Sequence, residues 1–420
     1  MAFFSFRRDS RANVRSHRHA QPQYTFRPLV EALEERWVPS TLHVGPTEPF
    51  TTIQAAVTAA QSNDKIQVDP GTYTEQVKID DTGHLRDNLT IKGSGQNSTF
   101  IKAPAVMISP NAVVEVSGAQ NVTIDNFTIT GPASGANSGG SLYGVRIDGG
   151  GSATITNNHI TAIEDTPFDG VQEGIAIDVG RASEAQSGSA TISHNTIDNY
   201  QKGGIVVSNV GSSATIDHNV VQGAGPTALI AQNGIQISSG ATATVTKNTI
   251  SGNIYTPQTV VSTGILLFSP GAVTISNNTV SSNDVGIYSF GATAPIIAHN
   301  DASANTFDGI ILDTTSQAVV DHNSTNNNGY GDQTGNPTGD GGIALFNSTN
   351  NTISHNQSNN NKGDGIFADS ASIDNVFSHN QASGNTNFDF EDQSTDGGTA
   401  GTGNTWTHNH GASSSPGGLA

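Results

Sequence analysis

The sequence predicts an all-β solenoid of about 11–12 stacked coils, with one short helix near the N-terminus. Units of the type TISHN recur along the chain, and strands of the type Gly-Ile-x-Ile recur between them. The distance from that Gly to the next recurring Asn is 14 or 15 residues in eight of nine repeats. Strands this short cannot bury an apolar face alone, so each coil must stack on the previous one and form parallel sheets.

The first 41 residues are expected to be a basic leader or disordered arm outside the solenoid. Residues 1–40 contain seven Arg and four acidic residues, whereas the whole chain has a formal net charge of −19. A basic segment without apolar periodicity is typical of a disordered arm. The segment FRPLVEALEERWVPST (26–41) resembles a leader found on exported and surface proteins of certain bacteria. This resemblance implies secretion or display at the cell surface.

One short helix is predicted directly before the strands. Thr51 and Gln54 have the spacing of a capping box. The apolar residues of this segment fall on one helical face: Ile53, Ala56, Val57 and Ala60. Strands are predicted in KIQVD (65–69), YTEQVKI (73–79) and LTIKGSG (89–95). A lone helix before a long run of strands is expected to cover one end of the stack.

Two landmarks define the solenoid domain, residues 42–410. The first is an Asn that ends each TISHN-like unit: Asn126, Asn158, Asn195, Asn219, Asn248, Asn278, Asn300, Asn323, Asn356, Asn380 and Asn409. The second is a Gly that opens a strand: Gly144, Gly174, Gly204, Gly234, Gly264, Gly286, Gly309, Gly342 and Gly365. Alternation after this Gly places aliphatic pairs such as Ile205/Val207 inside the coil. Residues 411–420 follow the last landmark and are expected to form a flexible tail.

The recurring Asn is predicted to have a structural role. Asn tolerates the left-handed backbone of a tight corner, and its amide can bond to the Asn of neighbouring coils. The residue before it varies, so that position is expected to face solvent. Five successive coils place an imidazole there: His299, His322, His355, His379 and His408. These rings could share Zn²⁺ or Cu²⁺, but Lys247 at the same position favours an ordinary polar surface.

Composition excludes several function classes. Beyond residue 102 the chain has only five cationic residues, so its acidic body should repel nucleic acid and anionic membranes. No apolar stretch is long enough to cross a bilayer, and there is no Cys to form disulfides. These properties leave the oligomeric state open.

The repeat and the opening segments FTTIQAAVTAA, IQVDPGTYTEQVKI and LTIKGSG resemble the right-handed parallel β-helix, or pectin-lyase-like, superfamily. The resemblance covers roughly residues 42–410 and implies that fold. The superfamily includes polysaccharide-acting enzymes and surface adhesins, so it leaves function open. The catalytic motifs of pectin methylesterases, polygalacturonases and alginate epimerases are absent.

A charged zone is expected on the outward side of the Gly strands. Its candidate catalytic residues are Tyr143, Arg146, Asp148, Asp178 and Arg181. Asp148 and Asp178 are expected at equivalent positions of adjacent coils, with backbones about 5 Å apart. The carboxylates that could hold Ca²⁺ here are Asp148, Glu164, Asp165, Asp169, Glu173 and Asp178. Such a cation could neutralise a uronate while Arg146 or Tyr143 moves a proton; a solvated acidic surface is the alternative.

An aromatic zone follows on the same outward row. Its members are Phe268, Tyr288, Phe290, Phe346 and Phe367. These rings could stack against sugars, or they could pack beneath the inserted loops 249–263 and 324–341.

The function expected from the sequence is a secreted or surface β-helix that binds, and could also cleave, an extracellular polysaccharide or cell-wall component. The alternative is a non-catalytic adhesive rod, because a ladder of similar coils without a sharp catalytic motif suits a structural role as well.

Overall fold

Strands account for nearly all regular structure in the computed structural model, which describes residues 38–80, 85–131, 142–257, 259–330 and 341–420. Within these ranges the α-helix is α1 (Ile53–Ala59), and two 3-10 turns lie at Ala182–Glu184 and Thr399–Gly401. Pro39–Ala420 form one compact unit. Residues 1–37, which hold most of the predicted leader, lie outside the described residues.

The strands are, in chain order, β1 (Thr41–Val44), β2 (Lys65–Val68), β3 (Gly71–Thr74), β4 (Val77–Asp80), β5 (Thr90–Gly93), β6 (Thr99–Lys102), β7 (Ala112–Ser117), β8 (Val122–Asp125), β9 (Thr128–Thr130), β10 (Tyr143–Asp148), β11 (Ser152–Thr156), β12 (His159–Thr161), β13 (Ile175–Val179), β14 (Ser189–Ser193), β15 (Thr196–Asp198), β16 (Gly203–Ser208), β17 (Ser213–Asp217), β18 (Val220–Thr227), β19 (Asn233–Ser238), β20 (Thr242–Thr246), β21 (Thr249–Tyr255), β22 (Thr263–Phe268), β23 (Val273–Ser276), β24 (Thr279–Val280), β25 (Val285–Phe290), β26 (Ile296–Ala298), β27 (Ile310–Asp313), β28 (Val319–Asp321), β29 (Ile343–Phe346), β30 (Thr352–Ser354), β31 (Gln357–Asn359), β32 (Ile366–Ala368), β33 (Val376–Ser378), β34 (Gln381–Ser383), β35 (Phe390–Asp392), β36 (Thr405–Thr407) and β37 (Ser414–Ser415).

These strands form three long parallel sheets, which confirms the predicted β-helix. The first sheet has 14 strands, ordered β1-β2-β5-β8-β11-β14-β17-β20-β23-β26-β28-β30-β33-β36. The second has 13, ordered β37-β35-β32-β29-β27-β25-β22-β19-β16-β13-β10-β7-β4, and the third has eight, ordered β24-β21-β18-β15-β12-β9-β6-β3. The pair β31-β34 continues the third side further along the chain. The first sheet has more strands than the number of coils that was expected, because β1, β2 and β5 precede the first Asn landmark.

The helix α1 is capped differently from the prediction. The N-cap is Thr52, whose side chain accepts a hydrogen bond from the Ala55 N–H, so the predicted capping box at Thr51 and Gln54 is wrong by one residue. Glu75 also accepts hydrogen bonds from the N–H groups of Ile53 and Gln54 at 2.9 and 2.8 Å. A carboxylate at a helix N-terminus satisfies donors that have no partner within the helix.

The core contains a column of aliphatic side chains on the inner side of the second sheet. The strand register sets the order of these side chains along the column. One inward row consists of Val145, Ile177, Ile205, Ile235, Ile265, Ile287, Ile310, Ile343 and Ile366, all fully buried. Val145 faces Ile177 rather than Ile175, so Ala176, not Gly174, occupies the recurring Gly position in this coil. Gly174 instead ends the preceding inserted loop, at a φ of 80°.

The predicted Asn ladder is present, but the left-handed corner lies one residue earlier. His299, His322 and Lys247 have φ values of 59°, 54° and 54°, and equivalent residues in other coils share this conformation. The following Asn is buried. Typically, as at Asn300, its backbone N–H and its Nδ2 both donate to Oδ1 of the next ladder residue, Asn323. The left-handed corner and the hydrogen-bonded ladder are therefore two neighbouring positions of the repeat.

The ladder begins at Asn158. The register pairs Asp125 with Thr156, which places Asn126 at the corner and Phe127 in the first ladder position. The Phe127 N–H donates to Oδ1 of Asn158 at 2.9 Å. Two further ladders, which the sequence reading missed, line other corners: Asn253, Asn283, Asn305, Asn328, Asn361 and Asn385 in one, and Asn351, Asn375 and Asn404 in the other.

Part of the last ten residues packs on the stack and does not form only a tail. Strand β37 pairs with β35, and Leu419 is 1% exposed. Phe377 and Trp406 stack near this end, with ring centroids 3.9 Å apart. Among the described residues no helix is both long and apolar enough to cross a membrane.

Candidate functional site

The outward side of the second sheet carries a row of register-paired residues, one from each strand between β4 and β35. In order, the row is Lys78, Glu115, Arg146, Asp178, Val206, Gln236, Leu266, Tyr288, Ile311, Ala344, Phe367 and Glu391. We call this side the outer face. Both predicted zones lie on it, the charged zone around Arg146 and the aromatic zone around Tyr288.

Arg146 is the centre of the charged zone, although it is only 2% exposed. Its Nε donates to Oδ2 of Asp148 at 2.8 Å, and its terminal nitrogens pair with Glu184 from the inserted 3-10 turn. Burial lowers the pKa of Arg146, but the hydrogen bond to Glu184 and the charge of Asp148 outweigh burial and raise the pKa above its ordinary value. The guanidinium therefore serves as a fixed positive charge.

The expected pairing of Asp148 with Asp178 is wrong. The register places Asp178 opposite Arg146, because the inserted loop moves the chain by two residues relative to the Gly landmark. Asp178 is 0% exposed and neither of its carboxylate oxygens accepts a hydrogen bond; the nearest Arg181 nitrogen is 3.9 Å away. Burial, only partly offset by Arg181 and Arg146, raises the pKa of Asp178 to about 7.

Tyr143 lies within the charged zone, as predicted, but beneath its surface. The guanidinium carbons of Arg146 and Arg181 lie 5.0 and 5.4 Å from the centre of its ring. Both distances are within the range of cation–π contacts. Because Tyr143, Arg146, Asp148 and Asp178 are all buried, four of the five predicted catalytic residues are closed to a polymer in this structure.

The acidic residues of the inserted loop form a separate cluster around Gln201. The Gln201 amide donates to Oδ2 of Asp165 and Oδ1 of Asp169, both at 3.1 Å. Burial and the neighbouring Asp165 raise the pKa of Glu173 to about 7, and burial raises the pKa of Glu164. Within the described chain, none of the carboxylates predicted for Ca²⁺ belongs to a group of three with ligand atoms within 4.8 Å of one another.

The aromatic zone borders an open groove of about 550 Å³. Leu266, Phe268, Tyr288 and Phe290 form its floor, and Phe268 stacks on Phe290 with ring centroids 5.2 Å apart. The walls come from the segment after β18 and from the end of β21 and the segment that follows it: Leu229, Ile230, Ala231, Tyr255, Val260 and Val261. Phe268 is 48% exposed, so the inserted segment 249–263 borders this ring without covering it.

A smaller groove of about 200 Å³ shares Gln172 and Lys202 with the aromatic groove and extends to Arg181. The Lys202 Nζ donates to the Ala231 carbonyl at 2.6 Å, and burial lowers the pKa of Lys202. Lys202 and Arg181 are the cations that line these two grooves. Lys202 was not predicted as a site residue. The sequence could have indicated it, because Lys202 is one of only five cationic residues beyond residue 102 and directly precedes a Gly strand.

Phe346 and Phe367 lie farther along the outer face. Their ring centroids are 5.7 Å apart, and Phe367 is only 4% exposed. Part of the loop predicted to cover them, residues 331–340, lies outside the described residues. These two rings do not line the aromatic groove.

A third groove, of about 630 Å³, runs along the first sheet. Ser, Thr and Ala side chains dominate its lining, which contains no ionisable or aromatic residue. It offers hydroxyl groups for hydrogen bonding but no group that could stack on a ring or pair with a charge. The outer face is therefore the stronger candidate site.

The chain belongs to the right-handed β-helix family, whose model, described as "Right handed beta helix region", matches residues 77–255 and 233–413. No curated protein sequence matches it significantly. The A-module of mannuronan C-5 epimerase AlgE6 from Azotobacter vinelandii shares 13% identity over 86% of this chain and 92% of that chain, with a TM-score of 0.51. DFA-IIIase from Arthrobacter chlorophenolicus A6 shares 14% over 77% and 89%, with a TM-score of 0.55. A mutant of the periplasmic alginate epimerase AlgG shares 11% over 84% and 77%, with a TM-score of 0.51. At these identities the likeness shows the fold alone.

Proposed function

We propose that this member of the right-handed β-helix family is a secreted or surface protein that binds an extracellular polysaccharide along its outer face. The observation that carries the proposal is the aromatic groove, where Phe268 and Phe290 stack and Phe268 remains half exposed. Exposed apolar grooves with a few polar groups are typical of ligand sites. Stacked rings on a rigid sheet present a flat apolar surface that suits the flat faces of sugar rings.

The polar groups beside the groove favour an acidic sugar. Lys202 lies where the two grooves meet, and Arg181 lines the smaller one. The rest of the body is strongly acidic, so this pair of cations is the part of the groove lining that would attract a carboxylate. Gln172 and Asn233 add amide groups that can bond to hydroxyls.

Two of the structures with a similar fold are, by name, epimerases of mannuronan and alginate, both polysaccharides. This supports a polysaccharide as the ligand class. The leader resemblance at 26–41 supports secretion or surface display, which stays a prediction.

Binding is the proposal that the geometry supports best, and cleavage is the weaker one. The buried positions of Tyr143, Arg146 and Asp178 keep their reactive atoms away from a ligand in the groove. A non-catalytic adhesive rod therefore remains the alternative class, and it would use the same face without chemistry.

The test is a binding screen with uronate, neutral and sulfated polysaccharides, measured by affinity electrophoresis and calorimetry with and without Ca²⁺. We expect uronate binding, and we expect Phe268→Ala to weaken it about 10-fold, or about 1.4 kcal/mol. Tyr330→Ala is the matched control, because Tyr330 is an exposed aromatic residue outside the groove. Lys202→Met should weaken binding of acidic polymers more than of neutral ones.

The same screen separates the alternatives. New ultraviolet absorbance during incubation would reveal lyase cleavage. Absence of binding to every polymer, or equal binding by wild type and Phe268→Ala, would reject the groove as a glycan site.

A further inference from the structure

Five histidines form a continuous stacked column on one corner of the β-helix. The ring centroids from His299 through His322, His355 and His379 to His408 are 5.0, 4.7, 5.1 and 4.9 Å apart. Each of these residues occupies the left-handed corner, with φ between 54° and 59°. The column follows from the coil register, because a repeated corner places successive Cβ atoms one strand spacing apart.

Metal-binding atoms converge at one end of this column. Single ligand atoms of His299, Asp321 and His322 all lie within 4.8 Å of one another. Among the residues that the structure describes, this is the one such group of three His, Asp or Glu side chains. His299 and His322 are exposed, so an ion can reach their rings from solvent.

Asp321 holds the neighbouring rings in a defined orientation. Its Oδ2 lies 2.6 Å from Nδ1 of His322, and its Oδ1 lies 3.1 Å from Nδ1 of His355. The Ser354 hydroxyl donates to the same Oδ1 at 2.7 Å. These contacts hold the carboxylate beside Nδ1 of His322, so an ion that replaces the proton between the two atoms would be bound by both groups.

We propose that His299, His322 and Asp321 bind one divalent transition-metal ion, of the class of Zn²⁺, Cu²⁺ or Ni²⁺, between two adjacent coils. The two imidazoles supply nitrogen ligands, and Asp321 supplies a carboxylate oxygen. Imidazole nitrogens select these metals over the hard cations Ca²⁺ and Mg²⁺, which prefer oxygen ligands. The net charge of −19 raises the local cation concentration at the surface.

The chain contains a matched control for this site. His194 and His218 stack at 5.1 Å, and Nδ1 of His218 lies 2.5 Å from Asp217. The next coil places Lys247 at the same corner position, and its positive charge opposes a bound cation. The histidine–aspartate arrangement is therefore repeated, but the three-ligand convergence is not.

The test is calorimetric titration of Zn²⁺ into EDTA-treated, dialysed protein near neutral pH. We expect His322→Asn and Asp321→Asn each to lose one bound Zn²⁺ per chain and His218→Asn to lose none. Asn is a conservative replacement, because Asn157 and Asn277 occupy this corner in other coils with φ of 52° and 58°. Wild type, but not His322→Asn, should melt at a higher temperature with Zn²⁺ than in EDTA, and Ca²⁺ should give no such rise.

Melting in EDTA establishes that each variant is folded. Substitution of Cu²⁺ gives an independent readout, since nitrogen coordination by wild type should appear in its electron paramagnetic resonance spectrum and be lost in His322→Asn. The proposal is overturned if His322→Asn binds as much Zn²⁺ as wild type, or if His218→Asn loses the same amount.

Discussion

At the scale of single residues, the TISHN unit combines two positions with different physical requirements. The His position turns the corner in the left-handed region and exposes its side chain, so His, Asn and Lys can exchange there. The Asn position is buried, and its amide satisfies backbone groups that the corner removes from the sheets. Buried polar groups must find partners, which explains why Asn recurs while its neighbour varies.

Asn323→Ala tests this division of roles. The substitution removes the Oδ1 atom that accepts from the backbone N–H and Nδ2 of Asn300, and the Nδ2 that donates to the Ile297 carbonyl. Leaving these buried groups unpaired should cost about 1–3 kcal/mol of unfolding free energy, measured by chemical denaturation. Asn277→His, which places His at a corner where other coils have it, should have little effect; an unchanged midpoint for Asn323→Ala would contradict the ladder's role.

At the scale of elements, the inserted loop before β13 decides what surrounds Asp178. The loop ends at Gly174, two residues before the position that pairs with Gly144, and this shift brings Asp178 opposite Arg146. The 3-10 turn at Ala182–Glu184 then supplies Glu184, which pairs with Arg146. A carboxylate is therefore buried without hydrogen bonds, next to guanidinium groups that only partly compensate its charge.

Asp178→Asn should change the pH dependence of stability. The pKa of Asp178 is raised to about 7 in the folded state, against about 3.9 in an unfolded chain. The unfolded state therefore loses this proton first, and wild type loses stability as the pH rises from about 4 to about 7. The variant should lack this loss and be more stable at pH 8 by about 1–4 kcal/mol.

The measurement is the unfolding free energy of wild type and variant at pH 4.5, 6 and 8. Asp374→Asn, at an exposed left-handed position, is the control for removal of one negative charge. A difference between wild type and Asp178→Asn that does not grow with pH would show that Asp178 is ionised in the folded protein at all three values.

At the scale of the whole domain, stability comes from stacking one coil on the next, so the two ends need separate protection. Helix α1 packs its buried Ile53, Ala56 and Val57 at the N-terminal end. At the other end, Phe377, Phe390 and Trp406 cluster, and Asn409 donates to the Leu419 carbonyl. Terminal coils with unpaired edges and exposed apolar side chains would otherwise promote association between molecules.

Leu419→Ala tests the closure of the C-terminal end. Leu419 is 1% exposed, and its truncation should cost about 2 kcal/mol of unfolding free energy. Val210→Ala is the control, since Val210 is 74% exposed and its loss should be within about 0.5 kcal/mol. Equal denaturation midpoints for the two variants would show that residues 411–420 contribute no packing to the stack.

The sequence by itself determined the repeat, the stacking of short parallel strands, the aliphatic core and the row of histidines, whereas the three-sided coil was seen only in the structure. These features depend on local alternation and on residues that recur at nearly fixed spacing, and both can be read without knowing the register. It also determined which aromatic residues face outward, including Phe268 and Phe290.

Only the tertiary structure decided which outward side chains meet and which remain accessible. Register across an insertion depends on loop geometry, so the sequence paired Asp148 with Asp178 where the fold pairs Arg146 with Asp178. Burial depends on what the insertions cover, which closes the charged zone but leaves Phe268 open beside Lys202. The corner residue directly precedes the ladder residue, and both positions tolerate Asn. Only the backbone angles and hydrogen bonds show which of the two positions turns the corner and which forms the ladder.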